Sequence, residues 1–236
     1  MFDTQLLTLL GVGFLLGLRH AMDTDHLAAV STVLAERPSL LASSAVGLWW
    51  GIGHTATLLL VGFIVLIGGI HIPAEFETIA ESGVAVLLIM LGGKLALKLY
   101  RERWHVHSHH HDGLPHVHLH RHQLEEDHRH RHWMSELIRP LCIGMAHGLA
   151  GSAALMLMVL STRIGVGAGL LSILVFGIGS IAGMMAIALI LSVPVVCSLS
   201  VSHRLFTGMQ GCASIASVLV GLWMLFRLTR VAMGES

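Results

Sequence analysis

The sequence predicts an all-α polytopic membrane protein, six transmembrane helices arranged as two inverted three-helix repeats. Three observations lead there. Of 236 residues, 54% are apolar and only 12% are Asp, Glu, Lys or Arg, against about 25% charged in an ordinary soluble domain. With a mean hydropathy of +0.77, that composition excludes a soluble globular enzyme and a disordered regulator. Six segments, near 4–34, 40–70, 79–100, 138–160, 165–193 and 207–230, have the roughly 20 mostly apolar residues that a spanning helix needs. The two halves of the chain also carry matching motifs. Lys plus Arg and Asp plus Glu balance at 14 each, so no charge excess suggests a nucleic-acid partner; the expected surroundings are a lipid bilayer.

The first segment has neither a basic leader region nor a small-residue cleavage site, so it is expected to be a retained span. It ends at Ala35-Glu36-Arg37-Pro38, where proline and two charges mark a turn. Acidic sequence around Pro73 separates the second and third spans. The third runs into Lys94, Lys98, Arg101 and Arg103, followed by a tract up to Trp133 that holds twelve of the 18 histidines, from His105 to His132. Too poor in apolar residues to fold alone, the tract is expected to be a disordered loop that chelates metal with low specificity. Residues 1–100 and 138–236 are then the two repeats, with residues 101–137 the loop between them. Cys142, Cys197 and Cys212 lie in apolar surroundings; an odd count there argues against a disulfide framework, and they are expected to be small core residues.

The repeat rests on three correspondences in the same order. Gly17-Leu18-Arg19-His20 returns as Gly144-Met145-Ala146-His147, and Gly51-Ile52-Gly53-His54 as Gly177-Ile178-Gly179-Ser180. The third spans end alike, Gly92…Lys98…Arg101 against Gly221…Arg227…Arg230. Each half holds an odd number of spans, so tandem copies must lie in opposite orientations. That is the plan of many secondary transporters, whose sites lie between the repeats. Eight Lys and Arg from Lys94 to Arg139, against none from Ile70 to Glu81, predict a multi-pass protein of the cytoplasmic membrane with its His-rich loop in the cytoplasm. Arg227 and Arg230, which would face outward, dissent from this orientation.

The sharpest feature is Arg19-His20-Ala21-Met22-Asp23-Thr24-Asp25-His26 inside the first apolar segment. Three charges there would cost about 9 kcal/mol in hydrocarbon, while the large apolar residues before them return only about 4–5 kcal/mol. Such groups must pair, face water or bind something, and a functional site is the default reading. On one straight helix His20, Asp23 and His26 share an arc of about 120°, but Asp25 points about 140° away from His20. Either the helix breaks near Met22–Asp25, or Asp25 serves another partner. His54 and His147, in glycine-rich apolar spans, could complete a metal set or merely hydrogen-bond between helices. In the second half, Ala150, Ser152, Ala153 and Ser180 stand where Asp23, Asp25, His26 and His54 would be, so the site is expected to be asymmetric.

Imidazoles with carboxylate suit Ni²⁺, Co²⁺ or Zn²⁺ better than Mg²⁺ or Ca²⁺. The candidate ligands are His20, Asp23, Asp25, His26, His54 and His147. The leading expectation is a secondary transporter of Ni²⁺ or Co²⁺ with no prosthetic group, driven by the proton gradient or membrane potential because no Walker A motif occurs. Two other classes fit the same residues. One is an intramembrane zinc-dependent hydrolase, although H-E-x-x-H is missing. The other is a metal-binding accessory protein that hands metal to a partner.

The first motif, His20 followed by Asp25-His26 in an Arg19-His20-Ala21-x-Asp23-x-Asp25-His26 setting, resembles the H-x4-D-H signature of the nickel/cobalt transporter family. Gly51-Ile52-Gly53-His54-Thr55, Gly144 to Ala154 and Phe176-Gly177-Ile178-Gly179-Ser180 resemble later motifs of its short branch, UreH-like urease-accessory membrane proteins and nickel/cobalt efflux proteins with His-rich loops. The resemblance implies an inner-membrane carrier of nickel or cobalt with His20, Asp25 and His26 at its metal site and His54 nearby. It also implies a downstream nickel metalloenzyme or metallochaperone as partner. Direction stays open, uptake or efflux.

Overall fold

The computed structural model describes residues 4–36, 39–69, 73–103, 109–111, 114–116, 133–151 and 165–234. Seven helices lie among them: α1 (Thr4–His20), α2 (Thr24–Ala35), α3 (Leu40–Gly68), α4 (Ala74–Arg103), α5 (Trp133–Ala150), α6 (Val166–Val201) and α7 (His203–Ala232). Local chemistry sets several ends. Ser39 caps α3 by accepting from the Ala42 amide at 3.5 Å, and Gly69 ends it in the left-handed region at φ 60°, where a side chain would be strained. A single residue, Ser202, separates α6 from α7 and caps the latter by accepting from the Arg204 amide.

The protein is an all-helical polytopic membrane protein. Among the described residues four helices, Leu40–Gly68, Glu75–Arg101, Val166–Val201 and His203–Ala232, are long and apolar enough to cross a membrane; Leu7–His20 and Leu137–Ala150 are shorter apolar helices. Six spans were expected, and four full-length ones are found among these residues. The span expected over 4–34 is two helices, because the charged motif interrupts it. The one expected over 138–160 is described as far as Gly151, and residues 152–164 lie outside the described residues.

The helices pair across the two halves. α3 packs along α6, α1 lies on α6, α5 lies on α3, and α4 packs on α7. These pairings are close because glycines stand at the crossings, and they come in reciprocal sets. A Cβ on Gly17 would strike the Phe176 carbonyl oxygen, and one on Gly144 that of Trp50. A Cβ on Gly92 would lie 2.6 Å from the Ser214 carbonyl oxygen, and one on Gly221 2.6 Å from that of Ala85. Ser214 Oγ donates to Gly92 O at 2.8 Å and Ser217 Oγ to Leu88 O at 2.9 Å, hydrogen bonds that small-residue packing brings within reach between membrane helices.

α2 is the most enclosed element. Ala28, Ala29, Val30, Val33 and Leu34 join Val46 and Trp50 of α3, Leu88 of α4, Met184 of α6 and Met224 of α7 in the main core. Its far end is tied down by polar bonds: Gln210 Nε2 donates to Ala35 O at 2.7 Å, Thr32 Oγ1 to Ala213 O at 3.3 Å, and Arg139 pairs with Glu36.

Two expectations need correction. All three cysteines are exposed on the helix surfaces rather than packed in the core; apolar neighbours in sequence do not distinguish a lipid-facing side from a buried one. In the His-rich tract, His109–His111 and Leu114–His116 pair antiparallel, with His111 opposite Leu114, where disorder was expected. The residues between them in sequence, Asp112-Gly113, are a pair that two-residue hairpins favour. The rest of the tract lies outside the described residues.

Gly92→Leu and Gly221→Leu should each destabilise the α4–α7 pair by about 1–3 kcal/mol, the usual cost of overpacking. Gly93→Leu on the same helix should not, since a Cβ there meets nothing within 4 Å. Thermal unfolding of the detergent-solubilised protein, followed by tryptophan fluorescence, measures the difference.

Candidate metal centre

The break in the first apolar segment is built from opposed preferences at its two edges. Arg19 and His20 occupy the last turn of α1, where basic groups suit the helix dipole, and Asp25 sits in the first turn of α2, where an acid does. Tight turns close α1: the Met22 amide donates to Arg19 O at 2.9 Å and that of Asp23 to His20 O at 3.0 Å. Asp23 is the N-cap residue of α2 with extended backbone, yet its side chain makes no capping bond. Its carboxylate lies instead 2.7 Å from His20 Nδ1.

Four imidazoles converge from four helices. His20 ends α1, His26 is on α2, His54 on α3 and His147 on α5. His20 Nε2 is 3.2 Å from His54 Nε2. Asp25 Oδ2 stands between two rings, 3.9 Å from His26 Nε2 and 3.8 Å from His147 Nε2. His147 Nδ1 faces Ile143 O at 3.0 Å; donating its proton there leaves the lone pair on Nε2, toward Asp25. His26, His54 and His147 are 1%, 0% and 2% exposed. Each keeps a buried ring nitrogen with no hydrogen-bond partner: His26 Nδ1, His54 Nδ1 and His147 Nε2. An unpartnered buried polar atom costs about 1–3 kcal/mol; of the three, His147 Nε2 faces Asp25, while His26 and His54 turn their Nε2 atoms toward Asp25 and His20.

Two triples have donor atoms within 4.8 Å of one another, His20 with His26 and His54, and Asp25 with His26 and His147. Either could hold a borderline divalent ion. Five of the six sequence-derived candidates therefore meet. The sixth, Asp23, belongs to neither triple and is 51% exposed; its contact is with His20, whose ring it can hold in orientation. Asp25, 26% exposed, joins through His26 and His147 rather than through His20. Two residues were not anticipated. Trp50 is fully buried, with its indole nitrogen unpartnered and its ring 5.0 Å from that of His147. Phe176 packs 5.5 Å from the ring of His20. Trp50 precedes the Gly51-Ile52-Gly53-His54 motif, and that adjacency was the available signal.

Residues 6–152 match the family NicO, described as a high-affinity nickel-transport protein. The chain belongs to this family. It is 37% identical over 194 residues to a urease accessory protein UreH of Bacillus sp. strain TB-90, which covers 82% of this chain and 80% of that protein. It is 28% identical over 102 residues to a hydrogenase nickel incorporation protein HupN of Bradyrhizobium diazoefficiens, covering 39% of this chain and 26% of that protein. No solved structure matches the chain. NicO proteins are nickel-transport proteins rather than enzymes, so the hydrolase alternative is withdrawn. The matched residues include the whole His/Asp cluster.

Asp23→Ala should leave the fold intact and lower Ni²⁺ affinity by about 10- to 100-fold, the usual cost of losing an outer-sphere partner. Equilibrium dialysis of the purified protein against Ni²⁺ checks this; unchanged affinity would mean that His20 needs no orienting carboxylate.

Proposed function

We propose that this chain is a secondary transporter carrying Ni²⁺ into the cell across the cytoplasmic membrane, with the ion held in transit by His20, Asp25, His26, His54 and His147. One observation carries the reading: four imidazoles from four helices meet a carboxylate inside an apolar bundle, and three of the rings keep buried nitrogens without partners. Histidines kept for packing alone would leave no buried ring nitrogen unpaired, whereas three of these rings pair at most one. Membership in a nickel-transport family supports Ni²⁺ as the cargo, and two relatives named for urease and for hydrogenase nickel incorporation support delivery inward to nickel enzymes. Imidazole and carboxylate accept Co²⁺ as well, so excess cobalt should compete with uptake.

Residues 1–100 and 138–236 act in this proposal as two inverted repeats that rock about the ion and open it to each side in turn. The matching crossings, Gly17 on Phe176 with Gly144 on Trp50 and Gly92 on Ser214 with Gly221 on Ala85, support that plan. The His-rich segment 101–137 lies on the cytoplasmic side in this arrangement, where it collects metal after passage.

Cells expressing the wild type should accumulate radioactive nickel above an empty-vector control at trace external nickel, and cells expressing His20→Ala should not. Lower nickel in wild-type cells would reverse the direction, and equal content in all three would reject nickel transport. Deleting residues 105–132 should keep transport and shift mainly its apparent affinity. Complete loss of nickel delivery in that variant would instead favour an accessory chelator.

A further inference from the structure

We propose that the cluster offers two alternative positions for one ion, and that His26 passes Ni²⁺ from one to the other. The proposal rests on the reading of this site as one that holds nickel in transit. An ion with bonds of about 2.0–2.2 Å can bridge two donors only when these lie within about 4.2 Å of each other. His20 Nε2 and His54 Nε2, 3.2 Å apart, satisfy that limit. So does Asp25 Oδ2 with His147 Nε2 at 3.8 Å and with His26 Nε2 at 3.9 Å. Among the described residues the five groups form two triples, each with its donor atoms within 4.8 Å of one another, rather than one larger set, and His26 is the member common to both.

The two positions differ in chemistry and in what they join. The first is three neutral imidazoles, from α1, α2 and α3, all in the first half of the chain. The second is two imidazoles and a carboxylate, from α2 and from α5, which belongs to the second half. An ion in the first position bonds only to the first half. An ion in the second ties α2 to α5 and has a negative charge to offset its own. Two dications a few ångströms apart repel strongly, and both positions need His26, so one ion is held at a time. Handover through His26 is how the ion's bonds pass from one half of the chain to the other.

The test uses the purified full-length protein with Ni²⁺ alone, measuring stoichiometry by equilibrium dialysis, ligands by X-ray absorption and flux in proteoliposomes. The wild type should bind one Ni²⁺. His54→Ala and His147→Ala should each still bind one, at least about tenfold more weakly, with two imidazoles on the ion in the former and three in the latter. Both should fall below a tenth of wild-type flux, and His26→Ala should bind none. Where an alanine variant does not assemble, His54→Gln or His147→Gln keeps most of the side-chain volume and replaces it. Two ions bound at once would overturn the shared position. Loss of all binding in either single variant would show one composite site, and wild-type flux in either would remove the handover; in both cases a transporting wild type leaves the nickel reading standing. A wild type that binds Ni²⁺ but moves none would overturn the transport reading, and the relay with it.

Discussion

A continuous helix from Thr4 to Ala35 could not both lie along α6 and enter the core, and the interruption at Ala21–Asp23 lets its two parts take separate courses. α1 is released to lie along α6, while α2 turns into the core among α4, α6 and α7. The same break brings a helix C-terminus and a helix N-terminus to the cluster, with His20 on one and Asp25 and His26 on the other. Broken helices of this kind are tolerated at membrane depth only where the freed backbone lines a cavity or is buried in protein.

Burial gives the cluster its character. Trp50 and Phe176 wall the rings in, and the glycine crossings bring α3, α5 and α6 close enough to shut out larger groups. Carbon surroundings weaken the competition from water, so a donor that finds no protein partner keeps its full appetite for a cation. Asp23 works differently. Half exposed, it holds one nitrogen of His20 and thereby aims the other at His54. Two carboxylates two residues apart thus take different contacts, Asp23 with His20 and Asp25 with His26 and His147.

Much of this was legible in the residues. The cost of Arg19, Asp23 and Asp25 in an apolar segment marked the site, and the angle at Asp25 left either a break or another partner; the structure has both. Periodicity could not say that Asp25 would meet His147 rather than His20, since that pairing depends on how α5 lies against α3. Nor could it rank Asp23 below Asp25 as a ligand, because both are acids beside histidines and only tertiary exposure separates them. The outward cysteines escaped for a related reason. In a membrane protein the lipid side is as apolar as the core, so hydrophobicity carries no information about which way a residue faces. The short pairing of His109–His111 with Leu114–His116 was missed because the composition of the tract outweighed its turn signal.

Gly148 and Gly151, on the half of the chain that supplies a single histidine, sit against the half that supplies the rest. A Cβ on Gly148 would stand 2.6 Å from the His54 carbonyl oxygen, and one on Gly151 would touch the His20 ring at 3.4 Å. The second half therefore acts as the mould and the first as the casting. Inherited damage to such a protein need not fall on a donor at all: an extra methyl group at Gly148 would push on the backbone that carries His54, and a survey confined to histidines and acids would overlook it.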